Sequence, residues 1–207
     1  MEAENYTARQ ALTTYLSSQL QSGLVSLEAA IQAHDTKLVH QAAKNYFTIS
    51  ELAKDFYSRT GVINSESPKS SHSWGILLLA VQNFSNVECT RKRRLARVSG
   101  DEFQQKAVIT DIINSLNYSD KIYVNFSQRG ESLIMRCSIA QILPRQLIIA
   151  GQKNALLAAA REPSVESIEG YLVSQKCQAA NIKLRVTGSR LFIYFHLARQ
   201  LRMPLSD

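Results

Sequence analysis

The stretch IKLRVTGSRLFIYFHL, Ile182 to Leu197, decides the fold. Two runs alternate apolar and polar residues around Thr187, Gly188 and Ser189, which have the composition of a tight turn. A period of two marks strands with one buried face. Leu184, Val186, Leu191, Ile193 and Phe195 take the core-facing positions. The other face then carries Lys183, Arg185, Arg190, Phe192, Tyr194 and His196. A closing β-hairpin is predicted here.

Working upstream, KIYVNFSQRGESLIMRCSI (121–139) repeats the pattern. Ile122, Val124 and Phe126 alternate with Tyr123, Asn125 and Ser127, and the turn falls around Arg129 and Gly130. Between the hairpins lie a short alanine-rich helix in QKNALLAAAR, a break at Pro163 and Ser164, and a second helix presenting Ile168, Tyr171 and Leu172. Before them, Ser99 and Glu102 have the spacing of a capping box, opening a helix with Ile109, Ile112, Ile113 and Leu116 inward. WGILLLAVQNF (74–84) fits a buried strand or a short buried helix, which periodicity does not separate.

The first sixty residues read as helical. Leu12, Tyr15, Leu16 and Leu20 share one face, a second helical segment ends near Asp35, and a third stops at Gly61 as a C-cap. A helix-turn-helix reading of TISELAKDFYSRTG fails, because its turn glycine would fall on Tyr57, so one unbroken helix is expected. Residues 61–73, GVINSESPKSSHS, have the composition of a linker. The expected organisation is a helical region over 1–60, a linker over 61–73 and a basic domain over 74–207. The fold class is α+β, with a helical N-terminal part followed by antiparallel β-hairpins packed with helices.

The charge is lopsided. Residues 1–70 hold six Lys/Arg against seven Asp/Glu, and residues 71–207 hold eighteen against ten, which together give the net +7. No apolar run is long enough to span a bilayer and the N-terminus has no secretory character, so a cytoplasmic protein without integral membrane association is expected. Cys89, Cys137 and Cys177 are too scattered for a disulfide framework or a zinc site.

Enzymatic signatures are missing from the sequence. There is no G-x-G-x-x-G or Walker A loop to cradle phosphates and no G-x-S-x-G elbow. His34, His40, His72 and His196 fall at unrelated spacings, with no carboxylates gathered for a metal. These observations imply a chain without catalysis, cofactor or metal.

The positive signal is basic and aromatic. Arg91, Lys92, Arg93, Arg94 and Arg97 form a cationic stretch suited to phosphate contact. Lys183, Arg185, Arg190, Phe192 and Tyr194 on one sheet face suit single-stranded RNA or DNA, with cations on phosphates and rings on bases. A plainer reading places those rings under a helix with the cations snorkelling at its margin. The expected function is therefore non-catalytic nucleic-acid binding. The alternative is an adaptor or structural subunit of a protein assembly, docking through its helical N-terminal part and basic C-terminal segment. KIYVNF resembles the short aromatic strand motif of RNA-recognition-motif domains. That family's longer partner motif is absent, and a hairpin partner follows where that fold places a helix, so no family is assigned.

Overall fold

The computed structural model describes residues 2–59, 71–90, 97–116 and 121–198. In chain order its elements are α1 (Glu2–Gln32), α2 (Thr36–Ser58), β1 (Ser71–Ser73), α3 (Trp74–Gln82), β2 (Val87–Thr90), β3 (Arg97–Ser99) and α4 (Glu102–Ser115). There follow β4 (Ile122–Arg129), β5 (Ser132–Ser138), α5 (Arg145–Ala150), α6 (Ala155–Arg161), α7 (Val165–Ala179), β6 (Ile182–Thr187) and β7 (Arg190–His196). The chain divides into two units, Met1–Ile63 with Arg145–Gln175, and Asn64–Pro144 with Lys176–Asp207.

The first unit is helical. Where the sequence suggested two segments, α1 is one helix of 31 residues, because nothing between Leu20 and Ser26 breaks it. Gly23 is tolerated within it for packing: a Cβ there would lie 3.2 Å from Cδ2 of Tyr46 on α2. His34 turns the chain in a left-handed conformation (φ 53°). Asp35 then caps α2, its Oδ1 accepting from the backbone N–H of Lys37 at 2.9 Å and Leu38 at 3.1 Å. α2 is unbroken, as expected, and ends at Ser58 with Arg59 at its C-cap. Gly61, expected to cap it, lies outside the described residues.

One half of this hairpin is sealed by α5, α6 and α7. Leu12 and Leu16 of α1 and Phe56 of α2 join Ile149, Leu156, Ala159, Ile168, Tyr171 and Leu172 in one buried cluster. Gly170 lets α5 and α7 meet backbone to backbone, since a Cβ there would sit 2.5 Å from the Gln146 carbonyl and 2.7 Å from Cβ of Ile149. Among the described residues of the first unit, no helix covers the other half of the hairpin. Leu24, Ile31 and Phe47 remain 44%, 54% and 67% exposed.

The second unit is a five-stranded sheet in the order β2-β4-β5-β7-β6, with β1 and β3 forming a separate two-stranded pair. The two expected hairpins are present, β4 with β5 and β6 with β7. Their turns place Gly130 at φ 57° and Gly188 at φ 58°, a region that glycine enters without steric cost. On the inner face Leu184, Leu191, Ile193 and Phe195 are buried, and Trp74 of α3 packs on Phe126 of β4 with ring centroids 5.4 Å apart.

The α+β class is as read from the sequence, with several corrections of detail. WGILLLAVQ is a helix, started by Ser73, whose Oγ accepts from the Gly75 N–H. The sheet is mixed rather than wholly antiparallel, because β2 pairs parallel with β4. Parallel neighbours require a crossover, and α4 lies within the connection between them. The cap of α4 is Asp101, which accepts from the N–H of Gln104 at 2.8 Å. Ser99 is instead the last residue of β3, opposite Ser71. Of the expected linker, residues 61–70 lie outside the described residues and Ser71–Ser73 form β1.

Candidate functional site

The strand register assembles one open sheet face. Arg136 of β5 stands opposite Phe192 of β7, which stands opposite Arg185 of β6. In the neighbouring row Ile134, Tyr194 and Lys183 line up in the same way, and in the next Ser138, Arg190 and Thr187. The expected set of Lys183, Arg185, Arg190, Phe192, Tyr194 and His196 is thus brought together, with Arg136 and Ile134 added by β5. Arg136, Lys183, Arg185 and Arg190 are exposed, while Ile134, Phe192 and Tyr194 are half-buried. Among the described residues none of these four cations has an acidic partner. Glu88, beside Tyr123 in the register, is already bound to Lys121 at 2.8 Å. That hydrogen bond and the attraction of the two charges hold the Lys121 ammonium above its ordinary range.

The cationic stretch divides differently. Arg91, Lys92, Arg93 and Arg94 lie outside the described residues. Arg97 is committed within the fold: its Nη2 donates to the Ser71 carbonyl at 2.7 Å and its Nε to Ser71 Oγ at 3.1 Å, pinning β1 to β3.

A second candidate site lies on the helical hairpin. His40 is exposed on α2, one turn after Lys37 and one turn before Lys44, both also exposed. The i−3 and i+4 positions lie on the same helix face, so an anion on the imidazole would have a cation on either side. Phe47, seven residues on, extends that face. His34 is also exposed but sits in the turn, and His196 is exposed at the end of β7. His72 is buried, with Nε2 2.8 Å from Oε1 of Gln105. Nothing in the sequence groups His40 with a ligand cluster or a triad. Its local signal is only a histidine flanked by lysines at helical spacing.

Other chemistry is less well provided for. Burial pushes the thiols of Cys137 and Cys177 up to about 12, which leaves them protonated and inert. Among the described residues no group of His, Cys, Asp and Glu is placed to hold a metal ion, and no helix is long and apolar enough to cross a membrane. Three described glycines of the second unit have structural tasks. Gly130 and Gly188 serve hairpin turns, and the space beside Gly100 is filled by the Gln105 amide, 2.3 Å from where a Cβ would stand.

No family model matches the chain, and no curated protein matches it by sequence. Solved structures do match by shape. A histidine kinase of Acinetobacter baumannii, AdeS, is similar over 87% of this chain and 97% of its own, with a TM-score of 0.53 and 12% identity. A histidine kinase from Burkholderia phymatum aligns over 95% of this chain and 97% of its own, at a TM-score of 0.41 and 10% identity. A bacterial phosphotransferase aligns over 92% and 96%, at 0.37 and 11%. Only the first of these likenesses is close enough to support a statement, and that statement concerns fold.

It overturns the functional expectation. The helices-then-sheet architecture follows an enzyme, a histidine kinase, and gives no support to nucleic-acid or RNA binding or to a chain classed as non-catalytic. The register gives a physical reason why the sheet face misled. Phe192 and Tyr194 share one face of the strand as expected, but both rings are half-buried beside their cross-strand neighbours instead of standing open for bases to stack. The fold resembles that of the histidine kinase AdeS, at 12% identity.

Proposed function

We propose that this chain is a phosphotransfer protein of a signalling system, carrying the phosphoryl group on His40 and acting in the cytoplasm. The observation that carries the reading is His40, exposed between Lys37 and Lys44 on the helical hairpin of a chain with histidine-kinase architecture. An imidazole nitrogen with an available lone pair attacks phosphorus. The N–P bond forms as the bond to the donor breaks, and the electron pair leaves with the donor group. The two lysines offset the charge of the phosphoryl oxygens. In this reading the donor is a phosphorylated protein rather than a nucleotide, since Gly130 and Gly188 serve hairpin turns and Gly23, Gly100 and Gly170 stand at close packing contacts. Leu24, Ile31 and Phe47, exposed on the hairpin, supply an apolar patch for that protein partner.

The test is uptake of phosphoryl groups by the full chain from phosphoramidate, which phosphorylates imidazoles directly, with magnesium ATP as a parallel donor. Acid-labile, base-stable label is expected from phosphoramidate. It should fall to background in His40→Gln and persist in His34→Gln. Label that survives His40→Gln unchanged rejects the site, and label from ATP rejects the protein-donor part of the reading.

A further inference from the structure

We infer that the open face of the five-stranded sheet is a docking surface for an acidic amphipathic helix of a partner protein. The inference goes beyond phosphotransfer and concerns the other unit of the chain. Its starting point is the arrangement of side chains across β5, β7 and β6. An apolar centre of Ile134, Phe192 and Tyr194 is bordered by Arg136 on β5 and by Lys183 and Arg185 on β6. All three cations are exposed, and among the described residues they have no acid partner. Positive charge flanking an apolar strip calls for the complementary pattern, apolar in the middle with acids on both sides.

The dimensions select a helix. Three adjacent strands cover about 10 Å from first to last, and an α-helix with its side chains is about 10 Å wide. A helix laid along β7 therefore reaches both cationic borders. Phe192 and Tyr194, two residues apart on one strand, are separated by about 6.6 Å. Residues i and i+4 of a helix are separated by about 6 Å. Two apolar side chains at that helical spacing meet both rings, while acids on either side face Arg136 and Arg185. The seven residues of β7 extend about 23 Å, which is roughly four helical turns.

Other anionic surfaces fit less well. Half-buried rings offer bases little stacking surface, and the strip has too little apolar projection to enter a lipid layer. Both nonetheless enter the experiment as competing outcomes.

The probe is a labelled peptide of about 15 residues, long enough to span ~23 Å as a helix, with leucines at i, i+4 flanked by glutamates. It is titrated by fluorescence anisotropy into the full chain, beside a scrambled peptide of the same composition. Single-stranded RNA and phosphatidylserine vesicles are titrated in parallel. The amphipathic peptide is expected to bind, to weaken as salt rises, and to lose about tenfold or more in affinity to Arg136→Glu/Arg185→Glu. Phe192→Ser tests the apolar strip separately, and Trp74 fluorescence checks that each variant is folded. Equal binding of the scrambled peptide, indifference to both variants, or tighter binding of RNA or vesicles overturns the inference.

Discussion

Phe56→Ala is expected to destabilise the first unit by about 3–5 kcal/mol, the usual cost of emptying a phenylalanine site in a packed core. Phe56 is 1% exposed on α2, and its ring lies 5.9 Å from that of Tyr171 on α7. It stands where the hairpin meets α5, α6 and α7, in a cluster with Leu12, Leu16, Ile168 and Leu172. Truncation removes the transfer free energy of the ring and leaves a void that helix backbones close only partly. Urea unfolding followed by far-ultraviolet circular dichroism reads the loss as a lower midpoint at an unchanged slope. A cost below about 1 kcal/mol, the range of substitutions outside a core, would show that α7 does not close over this end of the hairpin.

Gln105→Leu is the second large effect, by a different mechanism. The amide of Gln105 is wholly buried, and its Nε2 donates to the carbonyls of Ser99 at 3.0 Å and Ala180 at 2.9 Å. With both amide hydrogens given to carbonyls, Oε1 is left to accept from Nε2–H of His72, 2.8 Å away. One side chain thereby ties the β1–β3 pair to α4 and to the turn before β6. Leucine fills nearly the same space but orphans two carbonyls and an imidazole N–H. At about 1–3 kcal/mol for each buried polar group left unpaired, a loss above about 3 kcal/mol is expected. Gln105→Glu is expected to fail as well, because a carboxylate oxygen would face the two carbonyls. Trp74, the chain's one tryptophan, follows His72 by two residues, so its fluorescence reports the loss locally. Full stability in Gln105→Leu would mean that these hydrogen bonds do not hold the region.

Parts of this structure are written plainly in the residues. Both hairpins were legible because period-two alternation is a direct consequence of strand geometry, and because Gly130 and Gly188 fall where the chain must turn left-handed. Leu184, Leu191, Ile193 and Phe195 are buried as that alternation requires. The short elements were not legible. β1 and β3 have three residues each and β2 has four, too few to show any period, and α5 at six residues is little better. Their positions are set by partners distant in sequence, as when Val87 joins Ile122 in parallel. The capping of α4 was misassigned because Ser99 and Asp101 both satisfy the local rule, and only pairing with Ser71 removes Ser99 from the competition.

The sites divide in the same way. Strand periodicity showed correctly which residues share the open sheet face, because that is a property of the strand itself. It did not show how deeply Phe192 and Tyr194 are set, because Arg136 and Ile134 arrive from β5, nearly sixty residues earlier in the chain. His40 was invisible for a further reason. A lone exposed histidine between two lysines is unremarkable on any helix, and acquires meaning only from the fold around it.

The measurement that bears most directly on phosphotransfer is the order in which the histidines of the unmodified chain react. Imidazole resonances of His34, His40 and His196, the three exposed histidines, can be followed by NMR while phosphoramidate is present. His40 is expected to be phosphorylated first and to keep its phosphoryl group longest, because Lys37 and Lys44 flank it. Equal rates at all three, or reaction led by His34 or His196, would contradict a phosphoryl-carrying role for His40.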